Sequence, residues 1–210
     1  MYGLTKEEYK LLKSLNTPRK IQDYLDKLSI NFEEHGETCL SPRMVIKFKT
    51  AHCFEGSVFA AAALRVNGHK PLVVSLETAA DDQDHLITVF KQHGHWGAIS
   101  KTNHAVLRYR EPVYKSIREL VMSFFHEYFG VNDGKKNLWG YSRPIDLSKF
   151  DYCNWMSSDK ELWNIYDYSF KVPHIKIMKR SQIATLRKAN DIEIKAGQMI
   201  EWKEPKSVSK

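Results

Sequence analysis

The stretch that most restricts the fold is the apolar run AHCFEGSVFAAAALRVNGHKP at residues 51–71. Its helical part, residues 53–66, is apolar on nearly every side, and a helix of that kind is buried at the centre of a protein. The Asn-Gly pair at 67–68 is typical of a left-handed helix C-terminus. Gly56 and Ser57 lie in the first turn, where small side chains let another segment approach closely. The rest of the chain is therefore expected to pack around this helix.

Local patterns predict further helices and strands on both sides of the central helix. Capping patterns, prolines at first helical positions and apolar periodicity predict helices at residues 5–15, from residue 18, from residue 42, at 117–128 and near 159–168. Alternating apolar residues between turn signals predict strands at 71–76, 85–90 and 96–100, with a hairpin turn at 91–95. Helices followed by an antiparallel sheet indicate the α+β class.

Length and composition indicate one folded domain. A chain of 210 residues with 42% hydrophobic content supplies a sizeable core. No apolar run reaches the roughly 18 residues of a membrane span, and the start of the sequence lacks the apolar region of a signal peptide. We expect a cytoplasmic protein without membrane contact, with a single domain at 1–200 (core at about 17–130, extension at 131–200) and a flexible tail at 201–210.

The cysteines point away from a disulfide framework. Cys39, Cys53 and Cys153 are an odd number at wide spacing, and no Cys-x-x-Cys pair occurs. This pattern is not that of a disulfide scaffold or a zinc ribbon. The thiols are expected to be reduced, so a thiol nucleophile would survive.

The positive charge of the chain is concentrated near its C-terminus. The net charge is +7, and residues 171–210 contain ten Lys or Arg against four Asp or Glu, which leaves +1 for residues 1–170. The excess is either a solvated face or a surface that attracts an acidic partner. No nucleic-acid-binding motif accompanies it, so nucleic acid is not an expected partner.

Cys53 and His85 are the candidates for a catalytic pair. A turn centred on residues 93–94 places His85 opposite about residue 102, within the polar run Ser100-Lys101-Thr102-Asn103-His104. A polar side chain there would bind one imidazole nitrogen and leave the other to face Cys53. The N-terminus of a helix and a neighbouring imidazolium both stabilise a thiolate, and backbone N–H groups of the first turn would hold an oxyanion.

These features resemble the transglutaminase-like superfamily, which shares the papain-like cysteine-hydrolase architecture. The resemblance rests on Cys53 with its small-residue helix, on residues 64–68, on His85 with its strand and on Trp96, and it covers about residues 17–110. Residues 84–85, 96–103 and 108–114 are similar to an uncharacterised bacterial branch of that superfamily. The resemblance implies a papain-like core with a central cysteine-bearing helix packed on an antiparallel sheet, and further helices at both ends. It also implies that Cys53 is the nucleophile and His85 the base.

The third catalytic position departs from the family pattern. The family has an aspartate about four residues after the tryptophan, where this chain has Ser100, and residues 86–110 contain no acid. Papain-like enzymes use an asparagine in this role, which makes Asn103 the first candidate to orient His85 and Ser100 the second. We also expect His52, Glu55 and Trp96 to contact the substrate.

Two functions remain open at this stage. The first is acyl transfer or hydrolysis of an amide or ester in a protein, a peptide or a small amide, through a Cys53 thioester and without a cofactor. The second is a catalytically degenerate binding module on the same fold, which would use its basic C-terminal region to recruit an acidic partner. The pattern His93-x-His95 would suit zinc, but a solvated hairpin turn is the favoured interpretation and no metal site is expected.

Overall fold

The structure, a computed structural model, describes residues 2–34, 36–79 and 84–204. The helices in these residues are α1 (Lys6–Ser14), α2 (Pro18–Asp26), α3 (Pro42–Phe48), α4 (Cys53–Val66), α5 (Ile117–Met122), α6 (Trp163–Lys171), α7 (Arg180–Ile183) and α8 (Asp191–Gly197), with a 3-10 helix at Leu147–Cys153. The strands are β1 (Leu72–Thr78), β2 (His85–Gln92), β3 (His95–Ile99), β4 (Arg110–Tyr114), β5 (Leu138–Ser142), β6 (Ile145–Asp146) and β7 (His174–Lys176). The predicted α+β class is confirmed.

The strands form one antiparallel sheet in the order β4-β3-β2-β1-β5-β7, with β6 added to β1. Successive side chains of a strand point to opposite faces, and both faces of this sheet are covered. Residues such as Val73, Leu86 and Phe90 pack with α4 in one core. Their neighbours Val74 and Ile87 pack in a second core with α5 on the other side.

The central helix α4 is as buried as its composition predicts. All of its residues except Cys53 and Arg65 are buried. Helices α1, α2 and α3 cover it on one side, and β1 and β2 cover it on the other. Gly68 follows the helix with a φ of +89°, and the Asn67 side chain donates hydrogen bonds to the carbonyls of Leu12, Leu15 and Ala63. The helix is thus fixed at its C-terminal end, and at its N-terminal end only Cys53 is partly exposed.

The start of α4 is attached to β2 by two reciprocal hydrogen bonds. The Ser57 hydroxyl donates to the carbonyl of Leu86 at 2.6 Å, and the Thr88 hydroxyl donates to the carbonyl of Ser57 at 2.6 Å. Both side chains are buried. Cys53 lies one turn before Ser57, and His85 lies one residue before Leu86, so this pair of bonds sets the helix start against the strand start.

Gly56 allows a second close approach at the same helix end. A Cβ atom on Gly56 would lie 2.5 Å from Cβ of Lys101, closer than real Cβ contacts come. The Lys101 ammonium is buried and donates to the carbonyls of Leu25 and Leu28 at the end of α2. Burial lowers the pKa of Lys101. The expectation that a small residue here admits another segment is confirmed, and that segment is the one that follows β3.

Several elements differ from the prediction. The helix expected over 117–128 ends at Met122, where the Ser123 hydroxyl donates back to the carbonyl of Leu120, a bond that competes with helix continuation. Strand β4, which sequence patterns did not predict, begins at Arg110, and Arg110 donates to Glu127 at 2.6 Å. The Trp- and Tyr-rich residues 138–170 contain β5 and β6, which sequence patterns did not predict.

The C-terminal region is part of the same structure. Strand β7 pairs with β5, and backbone bonds join Ala105 to Met199 and Glu201 to Asn103. Residues 201–202 are therefore held by the core and do not behave as the free tail that was expected. Residues 205–210 lie outside the described residues. No helix in the described part of the chain is both long and apolar enough to cross a bilayer.

Thr88→Val tests the attachment of α4 to β2. The substitution keeps the side-chain shape and removes the hydroxyl, and a buried hydrogen bond of this kind contributes about 1 kcal/mol. We expect denaturant unfolding to show a loss of about 1–2 kcal/mol. Thr185→Val, at an exposed threonine whose hydroxyl bonds only locally, is the matched control. Equal unfolding free energies for the two variants would contradict the assigned role of Thr88.

Candidate functional site: a thiol between two histidines

Cys53 is the first residue of α4, and the residue is partly exposed. The residue before it, His52, is the N-cap: its Nδ1 accepts from the backbone N–H of Phe54 at 3.2 Å. The Glu55 carboxylate accepts from the N–H of His52 at 2.9 Å, which completes a capping box. Sequence reasoning missed this cap because the usual pattern has Ser or Thr where this chain has His52.

Glu55 does not lie where a substrate could reach it. Its side chain is fully buried, and besides His52 three groups donate to its carboxylate: the Asn31 amide at 3.1 Å, the Thr38 hydroxyl at 2.8 Å and the Leu40 N–H at 3.0 Å. The expectation of a substrate contact is replaced by a structural role. Glu55 fixes the 31–40 segment to the first turn of α4.

His85 is the first residue of β2, and its Nε2 lies 2.9 Å from the Ser100 hydroxyl. That hydroxyl directs its only hydrogen to the carbonyl of Leu107 at 2.6 Å. Ser100 Oγ must then accept, so Nε2 of His85 carries the proton and donates. The other ring nitrogen, Nδ1, is then available to Cys53, whose pKa His85 lowers.

Ser100 is itself held by a residue that the sequence did not single out. The side-chain amide of Gln22, buried in α2, donates to the carbonyl of Ser100 at 2.9 Å, and its oxygen accepts from the Ser100 N–H at 3.0 Å. These two hydrogen bonds to the backbone of Ser100 resemble those that a neighbouring strand would make, and they lie just beyond the end of β3. Gln22 is a positioning residue, and no local sequence pattern could reveal a contact between residues 78 positions apart.

Asn103 lies elsewhere. Its side-chain amide donates to the carbonyl of Trp202 at 2.9 Å, and its oxygen accepts from the N–H of the same residue at 2.8 Å. Both ends of the amide are thus used to hold the C-terminal segment. The structure brings Ser100, and not Asn103, to His85.

Trp96 is also remote from Cys53. It is the second residue of β3 and pairs with Lys91, six residues along β2 from His85. At about 3.3 Å per residue this separates Trp96 from His85 by about 20 Å. Its ring packs with the second core and under the Lys91 ammonium, 5.5 Å from the ring centroid. The expected substrate contact of Trp96 is therefore replaced by packing.

The charge state of the thiol follows from its neighbours. Burial raises the pKa of Cys53, but hydrogen bonds and charge from His52 and His85 outweigh burial and hold the pKa of this thiol well below its ordinary value. The N-terminus of a fourteen-residue helix acts in the same direction. Cys39 shows the opposite case, because burial and nearby carboxylates raise the pKa of its thiol.

His52 is surrounded by negative groups. Burial lowers the pKa of His52, while the Cys53 thiolate, Glu55 and the Thr38 carbonyl raise it to about 10. Its Nε2 lies 2.9 Å from that carbonyl and 3.4 Å from the carboxylate of Glu33. These shifts favour a Cys53 thiolate beside a protonated His52, and a proton on Nδ1 of His52 would replace its bond from the Phe54 N–H. His85 remains for proton transfer.

Two recesses meet at Cys53. The larger, of about 490 Å³, lies between the 31–38 segment and α6; the smaller, of about 190 Å³, lies beside His85. The larger recess is lined by Asn31, Glu33, Glu37, Thr38, His52, Cys53, Asp84, Trp163, Tyr166 and Phe170. A substrate that crosses the thiol would contact both recesses.

The first-turn N–H groups are mostly occupied. His52 accepts from the N–H groups of Phe54 and Glu55, and the N–H of Gly56 bonds the carbonyl of His52. Within the described residues, the N–H of Cys53 is the donor of this turn that has no protein acceptor. The first-turn N–H groups were expected to hold an oxyanion, and among the described residues of this turn the N–H of Cys53 is the one that remains available to do so.

No group of three or more His, Cys, Asp or Glu in the described ranges is arranged to hold a metal ion. His93 and Gly94 form the two-residue hairpin turn, both with positive φ, and the His95 ring lies 3.0 Å from the carbonyl of His93.

Compared with known proteins, the chain matches no family model, and no curated protein matches it either.

The electrostatics of the site predict an alkylation profile. We expect iodoacetamide to modify Cys53 at about pH 6, where an ordinary thiol is almost wholly protonated. His85→Ala and His52→Ala each remove a group that lowers the pKa of Cys53, so both variants should shift the reactive range toward higher pH. His69→Ala, at an exposed histidine just after α4, is the control. A wild-type Cys53 that reacts only as fast as Cys153 would refute this electrostatic account.

Ser100→Ala and Asn103→Ala separate the two orienting candidates. Ser100→Ala removes the acceptor of the His85 Nε2–H, so the imidazole loses its fixed tautomer and the alkylation rate at about pH 6 should fall severalfold. Asn103→Ala breaks the contact with Trp202 and should lower stability without a change in that rate. Mass spectrometry of the alkylated site measures both variants. A rate loss in Asn103→Ala alone would reverse the assignment.

Proposed function

We propose that this protein is a cysteine-dependent acyl-transfer enzyme or hydrolase on a papain-like, transglutaminase-like core. The observation that carries the proposal is the placement of Cys53 at a helix N-terminus, beside two histidines that lower the pKa of its thiol, one of which is oriented by Ser100. A thiol used only as core filler needs none of these contacts. An antiparallel sheet with the nucleophile helix on one face is consistent with this core.

The geometry supports a mechanism in two steps. The Cys53 thiolate attacks the carbonyl carbon of an amide or ester, and the N–H of Cys53 donates to the developing oxyanion. The bond to the leaving group then breaks, His85 passes the proton that it took from the thiol to the leaving amine or alcohol, and a Cys53 thioester remains. Water or an amine next attacks the thioester and loses its proton to His85, which releases the product and restores the thiolate.

Ser100 takes the role that an aspartate or asparagine holds in related arrangements. A carboxylate would stabilise an imidazolium at His85, whereas a hydroxyl fixes the ring without adding charge. The negative charge appears instead next to His52, as Glu33 and Glu55. In this proposal the two histidines divide the work: His52 stabilises the thiolate, and His85 transfers protons.

The second candidate function is the degenerate binding module, and one observation favours it. A cavity of about 1030 Å³ near α7 and α8 is lined in part by Lys135, Lys136 and Lys188, which would suit an acidic partner. Lys135 and Lys136 are already paired with Asp133 and Glu193. Because β7 belongs to the sheet, substitution of exposed lysines, such as Lys188→Gln, tests this function better than deletion of residues 171–210.

Cys53→Ala tests the proposed enzyme. We expect wild type to react with 4-nitrophenyl acetate, to release nitrophenolate and to carry one acetyl group on Cys53 when acidified early. Cys53→Ala should show neither product, because the nucleophile is gone, and should unfold at the same temperature as wild type. Cys153→Ala, at another partly exposed thiol, should behave as wild type. Equal ester turnover in Cys53→Ala would end the proposal, and absence of acetylation in wild type would favour the binding module.

A further inference from the structure

The larger recess beside Cys53 has an uneven distribution of charge. Glu33, Glu37 and Asp84 line it, and no Lys or Arg does so within the described residues. The protein as a whole carries +7. The overall composition of the protein therefore does not explain the negative charge of this recess, and the cause must lie in the residues that line it.

The carboxylates differ in what already binds them. Glu33 accepts from the Thr38 N–H at 2.7 Å and faces His52, and Asp84 accepts from the Thr78 N–H at 2.8 Å. Glu37 has no ion-pair or hydrogen-bond partner in the part of the chain that the structure describes. Glu37 is thus the carboxylate that is available to a ligand.

The opposite wall of the recess is aromatic. Trp163, Tyr166 and Phe170 follow one another at i, i+3 and i+7 on α6, so they share one face of the helix. The ring centroids of Trp163 and Tyr166 are 5.6 Å apart, and those of Tyr166 and Phe170 are 4.7 Å apart. The three rings therefore form a continuous wall.

The negative field of the recess also acts on its aromatic wall. Burial raises the pKa of the Tyr166 hydroxyl, and the negative charges of Cys53, Glu37 and Glu33 raise it further. The carboxylates of one wall are thus close enough to influence a ring of the other. A ligand between the walls would meet both.

We propose that this recess binds a cationic side chain, of lysine or arginine size, next to the carbonyl that Cys53 attacks. Aromatic faces attract cations through their ring quadrupole, and carboxylates add charge-assisted hydrogen bonds. An anionic side chain would be repelled, and an apolar one would leave the partnerless Glu37 desolvated without compensation. The substrate class is therefore a basic peptide or another acyl donor that carries a cation, and this inference rests on the proposed acyl-transfer function.

Three electrophiles of equal backbone test the proposal: the chloromethyl ketones of Nα-acetyl-lysine, Nα-acetyl-norleucine and Nα-acetyl-glutamate. Each is attacked by the Cys53 thiolate, which forms a carbon–sulfur bond and expels chloride. Norleucine is lysine without its ammonium, so the ratio of the two rate constants reports the cation alone. We expect the lysine reagent to react about tenfold faster than the norleucine reagent at low salt, the glutamate reagent to be slowest, and the ratio to shrink as salt screens the carboxylates.

Glu37→Gln should reduce the lysine-to-norleucine ratio severalfold. Glu34→Gln removes the same charge from the same loop at an exposed residue outside the recess, and it should keep the wild-type ratio. If both variants lose the preference equally, net charge and not the recess is the cause, and the proposal is overturned. Equal lysine and norleucine rates in wild type would also overturn it.

Iodoacetamide separates this inference from the function on which it rests. A Cys53 that reacts with iodoacetamide faster than Cys153, yet shows no preference among the three ketones, would leave the proposed enzyme in place and refute the cationic substrate. A Cys53 that is no more reactive than Cys153 toward iodoacetamide would refute the proposed function itself.

Discussion

The contact between the first turns of α4 and the start of β2 determines the geometry of the whole site. Ser57 and Thr88 exchange hydrogen bonds across it, and Gly56 lets the segment after β3 pass close to the helix. A nucleophile must stay within hydrogen-bond reach of its base, and a helix that could slide along the sheet would lose that reach. The Ser57 and Thr88 hydroxyls oppose such a movement of α4, because each is buried and has one backbone carbonyl as its acceptor.

The N-terminus of α4 combines two demands that usually conflict. A thiolate benefits from free N–H groups and positive charge, whereas stability requires that those N–H groups be capped. His52 can meet each demand in turn: unprotonated, its Nδ1 accepts N–H groups of the turn, and protonated, its charge faces Cys53. Glu55 keeps the loop and the cap in place with a carboxylate whose hydrogen bonds are satisfied internally.

Local sequence patterns predicted the parts of this site that depend on local structure. The apolar run located α4, and the two-residue turn at His93 gave the register that sets His85 opposite residue 102. The choice between Ser100 and Asn103 lay beyond such patterns, since β3 ends at Ile99 and side-chain alternation stops there. Contacts far apart in sequence, Gln22 with the backbone of Ser100 and Asn103 with that of Trp202, decide which side chain reaches His85. The short strand β7 was missed because three residues carry no periodicity.

The net charge of the chain is a poor guide to what its cleft binds. Charges separated by more than about 8 Å of physiological salt solution are largely screened, so the exposed basic residues near the C-terminus act mainly on their own surroundings. The half-buried Glu33 carboxylate is screened less than a fully exposed charge, and together with the exposed Glu37 it sets the potential that a ligand meets beside Cys53. Glu33 also lies 3.4 Å from Nε2 of His52, so recognition of a cation and stabilisation of a protonated His52 share one carboxylate.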